Sequence, residues 1–351
     1  MPPTWAEAPH YVLWEITLRC NLRCAHCQSG AGRARPDELS TAEALALCDA
    51  LAALKVGGVC LLGGEPLVRP DWPELANRLI SQGIPVGIFT NGWLLDEACA
   101  DRLLQLGVVQ VGLSLDGAAA VHDAGRGRPG AHLRALAALD RVAARAFPYR
   151  TVVTSVRRAN LGELDGLADL LADRAPGFTW TINVASGHAT TRLAREELLD
   201  EDGYRQVARF VARTRPRLAG RLDVVAADDL GYCSTLDARL RPAPWTGCPA
   251  GLTALGITSD GGVKGCLALP DAFGEGNVRQ TPLGELWRDP RRFALNRAFH
   301  VGLLAGGCQG CPQGEVCRGG CRDLAASTTG SPYHHPWCLG RAERRGDRLE
   351  R

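Results

Sequence analysis

The chain has 351 residues, enough for one large domain or a large and a small one, and well above the size at which a fold must be stapled to stand. Forty Lys and Arg against 38 Asp and Glu leave a formal charge of +2, so no overall basic field draws the chain onto nucleic acid or anionic lipid. The first residues lack the basic start and apolar stretch of a secretory signal, and no run approaches the roughly 20 apolar residues of a membrane span. The expectation is a cytoplasmic protein with no nucleic-acid and no membrane partner, in which fourteen Cys are an anomaly, because reducing conditions favour core thiols or metal ligands over disulfides.

In chain order, β-branched and aromatic runs predict strands at residues 11–17, 59–62, 86–90, 109–115, 150–156 and 178–184. Amphipathic segments between and after them predict helices at 41–54, 72–81, 96–106, 131–144, 161–172 and 202–214. The first helix opens on Ser40 with Glu43 three residues on, the signature of a capping box. Such alternation implies parallel strands with right-handed crossovers, hence an α/β barrel or a doubly wound sheet. In both, chemistry sits at the carboxyl ends of the strands, where this sequence places Cys20-Asn21, Gly63-Gly64-Glu65-Pro66, Asn91-Gly92 and Asp116-Gly117. Beyond about residue 230 the alternation stops. Gly, Pro and Cys dominate, with one helical stretch near 283–298, and the Arg-rich end after Gly340 reads as a frayed tail.

Directly after the first strand comes Cys20-x3-Cys24-x2-Cys27. Three thiolates on a short loop can wrap one metal centre, and soft sulfur selects zinc or an iron–sulfur cluster. A zinc site would need a fourth ligand, for which His26 is the neighbour at hand. On a [4Fe–4S] cluster the same three Cys would leave one iron open. This spacing, in this alternating pattern, resembles the radical S-adenosylmethionine superfamily, whose motif is C-x3-C-x-Φ-C, with His26 at Φ. Gly63-Gly64-Glu65-Pro66 is similar to that superfamily's GGEP segment, where backbone and acid hold the methionine amino group. Thr90-Asn91-Gly92 and Ser114-Leu115-Asp116-Gly117, followed by His122-Asp123 and Arg126, resemble its third- and fourth-strand segments. By this resemblance His26, Gly63, Gly64, Glu65, Pro66, Asn91, Ser114, Asp116 and Arg126 are the cofactor-binding residues, with Ser114 and Arg126 on the ribose and carboxylate.

A second constellation runs Cys248-x12-Gly261-x4-Cys266, then Cys308-x2-Cys311-x5-Cys317-x3-Cys321-x16-Cys338. It resembles the SPASM extension, which houses two auxiliary [4Fe–4S] clusters; two zinc knuckles are the other reading of the spacing. The resemblance assigns Cys248, Cys266 and Cys321 to the first auxiliary cluster and Cys308, Cys311, Cys317 and Cys338 to the second. The first is then one ligand short, and Cys233 is a candidate for the vacancy, beside an open iron or a non-Cys ligand. Cys48, Cys60 and Cys99 have no partner spacing and read as core thiols. The fold implied is α/β: a partial (β/α)6 TIM-like barrel over residues 1–225, a small Cys-rich SPASM domain over 226–340, and a tail over 341–351.

The activity implied is reductive cleavage of S-adenosylmethionine to a 5′-deoxyadenosyl radical that abstracts hydrogen from a substrate, with a flavodoxin or ferredoxin as reductant. SPASM-bearing members mostly modify peptides, so a ribosomally made precursor peptide is the expected substrate. Leu267 stands where sulfatase maturases carry an Asp after the second Cys of the extension, which argues against that subgroup. With Cys20 so near the start, no leader-binding module fits ahead of the barrel, and a separate leader-peptide-binding protein is an expected partner. A small-molecule or tetrapyrrole-modifying enzyme on the same scaffold, and a non-catalytic iron–sulfur electron carrier, are the alternatives. Residues 186–231 match nothing in the family pattern and are where substrate contacts are expected.

Overall fold

In the computed structural model, residues 5–187 and 190–346 are described. Seven parallel strands come first in sequence and lie side by side in that same order in space: β1 (Tyr11–Thr17), β2 (Val59–Gly63), β3 (Val86–Thr90), β4 (Gln110–Ser114), β5 (Tyr149–Val156), β6 (Thr179–Val184) and β7 (Asp223–Ala226). The connecting helices are α1 (Thr41–Leu54), α2 (Trp72–Ser81), α3 (Glu97–Leu106), α4 (Ala119–Arg126), α5 (Ala131–Ala143), α6 (Leu164–Arg174) and α7 (Glu201–Leu218). Buried Trp14, Ile16, Leu61, Ile88, Val111, Val152 and Ile182 on the strands meet Leu47, Leu51, Leu75, Leu103, Leu139 and Leu171 on the helices in one continuous core. The Ser40–Glu43 box closes as its sequence implies: Glu43 N donates to Ser40 Oγ at 3.3 Å, and Ser40 N donates to Glu43 Oε2 at 2.9 Å.

The second region extends the same sheet. After α8 (Asp237–Leu240), strand β8 (Ala254–Ile257) pairs parallel with β1, then β9 (Gly262–Lys264) and β10 (Gly274–Asn277) follow antiparallel. The sheet order is β10-β9-β8-β1-β2-β3-β4-β5-β6-β7. Short helices complete the chain: α9 (Leu283–Arg288), α10 (Ala294–Arg297), α11 (Gly314–Cys317), α12 (Arg322–Thr329) and α13 (Leu339–Arg344).

Five details depart from the sequence expectations. The short strand β7 adds a seventh to the six expected, and α4 was not anticipated. The helix expected at 161–172 starts as a 3-10 turn, Arg158–Glu163, before α6. The stretch at 283–298 is two helices, α9 and α10, because Pro290 holds Asp289 extended. Of the end expected to fray after Gly340, the stretch to Arg344 is helical in α13, where Ala342 is buried, and residues 347–351 lie outside the described residues.

Candidate active site

One cavity of about 350 Å³ opens at the carboxyl ends of the strands. Its walls come from the loop after β1 (Cys20, Cys24, His26, Cys27, Gln28), from Gly63 and Gly64 after β2, and from Phe89, Thr90 and Asn91. Ser114, Ser155, Asn183 and Ala185 at the ends of β4, β5 and β6 complete the ring, with Leu267 and Ala268 from the second region. Strands lie about 4.8 Å apart, so β1 and β6 can line one cavity only if the sheet is rolled, as a partial barrel requires.

The cysteine loop is held rigidly and its sulfurs are solvated by N–H groups. Leu22 N donates to Cys20 Sγ at 3.4 Å, Ala31 N to Cys27 Sγ at 3.3 Å, and Arg126 Nη1 approaches Cys24 Sγ at 3.9 Å. Burial pushes the Cys20 thiol up to about 12, and burial also raises Cys24 although Arg126 opposes it. Such thiols ionise only against a metal, and N–H donors on each sulfur suit the surplus negative charge of an iron–sulfur cluster. The donor set therefore fits a three-Cys cluster. His26 Nε2 faces Asp116 Oδ2 at 3.5 Å, and burial lowers it to about 4, so it stands neutral.

The residues expected to contact the cofactor divide into a wall and its backing. His26, Gly63, Gly64, Asn91, Ser114 and Arg126 line the cavity; Glu65, Pro66 and Asp116 do not. The Glu65 carboxylate is spent on the protein, accepting from Thr90 Oγ1 at 2.7 Å, Asn91 N at 2.8 Å and Leu67 N at 3.1 Å. Burial raises it to about 7 against those bonds. Glu65 thus fixes Asn91, and Pro66 starts the 3-10 turn behind it. Asp116, fully buried, ion-pairs with Arg126 Nε at 2.7 Å. Burial acts to raise Asp116, but Arg126, His26 and His122 bring it below the usual carboxylate range. The glycines are there for close approach: a Cβ on Gly63 would lie 2.3 Å from Thr17 O, and one on Gly64 2.3 Å from Arg19 O.

Sequence reasoning missed several contributors. Gln28 Nε2 donates to Ser186 Oγ at 2.5 Å and to Asp323 Oδ2 at 3.2 Å, tying the cysteine loop to β6 and to α12. Adjacency to Cys27 and to Cys321 was the available signal. The described part of the segment expected to hold substrate contacts braces the cysteine loop: Thr191 Oγ1 donates to Ala25 O at 2.9 Å and Arg192 Nη2 to Ala31 O at 2.7 Å.

Farther along, the SPASM-like thiols form two neighbourhoods. Cys248 acts electrostatically on both Cys266 and Cys321, while Cys308, Cys311, Cys317 and Cys338 influence one another. Cys233, expected as the missing member of the first set, lies instead against Cys317 of the second, with its N–H on Asp237 Oδ2 at 2.7 Å. Cys48 and Cys60 are buried in the core, and Cys99 lies partly buried in α3. Among the described residues no helix is long and apolar enough to cross a membrane.

Comparison with known proteins agrees with this geometry. Residues 14–171 match the family model of the radical SAM superfamily, and residues 248–322 that of the SPASM iron–sulfur cluster-binding domain. The chain is 34% identical to mycofactocin maturase MftC of Mycobacterium ulcerans, covering 94% of this chain and 87% of that one. It is 30% identical to the AdoMet-dependent heme synthase of Methanosarcina barkeri, covering 95% and 97%. Its fold resembles Streptococcus suis SuiB bound to S-adenosylmethionine, with a TM-score of 0.74 at 17% identity over 93% of this chain and 76% of that one.

Proposed function

Because the chain belongs to the radical S-adenosylmethionine superfamily and carries its SPASM extension, it is an enzyme that uses iron–sulfur clusters and S-adenosylmethionine, and we propose that its substrate is a ribosomally made peptide. The observation that carries the peptide reading is the lining of the cavity. Among the described lining residues the one cation is Arg126, already paired with Asp116, and His26 is neutral. A porphyrin substrate brings several carboxylates, which are recognised by arginine forks and lysines. The described lining residues offer no free cation for even one. Its other walls, Phe89, Val153, Val184, Ala185, Leu267, Ser155 and Asn183, suit an amino-acid side chain flanked by amides. The similarity to a maturase supports the same reading. The similarity to a heme synthase favours a tetrapyrrole as the second reading.

On this proposal Cys20, Cys24 and Cys27 hold the cluster at which S-adenosylmethionine docks, and the two SPASM neighbourhoods hold two auxiliary [4Fe–4S] clusters. The chemistry such a cluster and S-adenosylmethionine supply together is reductive cleavage to a 5′-deoxyadenosyl radical, which removes a hydrogen atom from the substrate. The protein's own residues bind, orient and seal. Gly63 and Gly64 present backbone to the ligand without side chains in the way. Asn91 is pinned by Glu65 at its N–H and by Asn21 Oδ1 at its Nδ2, 2.7 Å away, so it offers a fixed polar edge. Asp116 keeps Arg126 charged and aimed along the wall. Leu267 and Ala268 close the side toward the second region and exclude water, which a radical enzyme requires. Leu267 also leaves the sulfatase-maturase acid position apolar. Gln28, whose amide nitrogen is taken by Asp323 and Ser186, presents its carbonyl oxygen as an acceptor for a substrate N–H.

The test is anaerobic reconstitution followed by co-expression with candidate precursor peptides and mass spectrometry of the products. A peptide that loses two hydrogens, epimerises or loses carbon dioxide supports the proposal. Cleavage of S-adenosylmethionine driven by a tetrapyrrole and by no peptide overturns it. Pull-down with products of neighbouring reading frames checks for a separate leader-peptide-binding partner; turnover of the full precursor by the lone enzyme removes the need for one.

A further inference from the structure

Two arginines sit inside the second region with no carboxylate among the described residues ion-paired to either; the exposed Glu315 acts on Arg318 only at longer range, and none acts on Arg322. Arg322 is fully buried and Arg318 is 4% exposed. They flank the sequence Cys317-Arg318-Gly319-Gly320-Cys321-Arg322. Arg322 Nε donates to Asn296 Oδ1 and Nη1 to Pro332 O, both at 2.9 Å, while Nη2 has no partner. Arg318 Nη2 donates to Asn296 O at 2.6 Å, and its Nη1 is likewise unpartnered. Both guanidinium planes lie over Phe299, at 4.7 Å for Arg318 and 5.1 Å for Arg322, and Arg322 also covers Tyr333 at 4.5 Å.

Neutral carbonyls and ring faces do not balance two buried positive charges, since an uncompensated buried ion costs several kcal/mol. Arginine does not escape by losing its proton. For Arg322 the anion must come from something else, and the thiols that act on the pair belong to both sets: Cys248 on Arg318, beside Glu315 and Tyr333, and Cys248, Cys308 and Cys317 on Arg322, beside Tyr333. Arg322 therefore stands between the three-Cys and the four-Cys neighbourhoods.

We infer that Arg322, assisted by Arg318, is the counter-cation shared by the two auxiliary clusters and holds their reduction potentials up. The inference rests on the two-cluster reading of these thiols. A thiolate-ligated cluster is anionic, and reduction adds one electron from the external reductant with no bond made or broken and no proton lost from the guanidinium. A fixed positive charge in a dry site favours the more negative, reduced member of the pair. These arginines are positioning residues; neither touches the cavity where S-adenosylmethionine is placed.

The experiment is a reductive titration of the anaerobically reconstituted full chain followed by electron paramagnetic resonance, with iron and sulfide counted on the same samples. Arg322→Met is expected to keep its iron and to lower the auxiliary midpoints by at least 59 mV, a tenfold change in the reduced-to-oxidised ratio of a one-electron couple. The signal of the cluster at Cys20, Cys24 and Cys27 stays in place, and Arg322→Lys stays near the parent. Full iron with unmoved auxiliary midpoints in Arg322→Met overturns the inference while leaving the cluster reading intact. A parent protein that loads only one cluster overturns that reading and the inference with it. If Arg322→Met loses its auxiliary iron and Arg322→Lys keeps it, the requirement for charge is supported. If both lose it, Arg318→Met decides by the same midpoint criterion.

Discussion

His122 accepts the Asp116 backbone N–H through Nδ1 at 3.1 Å, which only a neutral imidazole can do. Burial, then Arg126, lowers it to about 4, well below the unfolded value of roughly 6.5. Between those values the unfolded chain binds a proton that the folded chain refuses, so this group's contribution to stability is intact above about pH 6.5 and falls as pH drops toward 4. The loss reaches up to about 3 kcal/mol. A His122→Gln variant is expected to melt lower at pH 7 but to lose less on going to pH 5; parallel falls for the two proteins would refute the assignment. The surrounding residues mark what was readable at this scale. Arg126, Asn91 and Ser114 line the cavity as their motif positions imply, whereas Asp116 and Glu65 were legible as important but not in direction. A motif identifies a carboxylate; only packing shows that Asp116 is spent on Arg126, and Glu65 on Thr90, Asn91 and Leu67.

At the scale of elements, the end of β2 shows how backbone constraint makes the site. Gly63 has φ +134, and a Cβ there would also meet Glu15 Cγ at 2.8 Å, besides the fixed Thr17 carbonyl. A backbone oxygen cannot swing aside as a side chain can. Gly63→Ala is expected to cost at least about 2 kcal/mol in urea unfolding and to abolish S-adenosylmethionine cleavage. Gly83→Ala, whose Cβ would meet nothing within 4 Å, is the control and should retain activity. Elements with strong local signals matched their expected bounds: α1 has its capping box and α2 its Pro at the start. What escaped was short or set by tertiary pairing. β7 has four residues, two of them small or charged, and forms because β6 offers it a ladder. Cys233 shares sequence proximity with Cys248, but its left-handed backbone at φ +50 and the Asp237 contact accompany its placement beside Cys317.

Over the whole molecule, the two regions that composition separates near residue 225 share one sheet. β8 pairs with β1 in register from Tyr11↔Ala254 to Trp14↔Ile257, so the second region covers the edge of the strand that leads into the cysteine loop. Buried Glu15 on that strand accepts from Ser259 N at 3.1 Å and Ser259 Oγ at 3.0 Å, and Trp287 Nε1 donates to Ala6 O at 3.0 Å. Composition could not reveal this, since a Gly- and Cys-rich segment reads as self-contained while its strands take their partner from 240 residues away. A chain ending at residue 226 would leave β1 as an open edge, with Glu15 keeping Arg35 but losing both Ser259 donors. Uncovered parallel strands pair with other chains, and a buried carboxylate deprived of donors costs about 1–3 kcal/mol by itself. Such a chain is expected to be insoluble, or to show fast hydrogen exchange across β1 and no iron at the first cysteine motif. A soluble, iron-binding fragment with protected β1 amides would show instead that the barrel stands alone and that the shared sheet serves only to hold the SPASM clusters beside it.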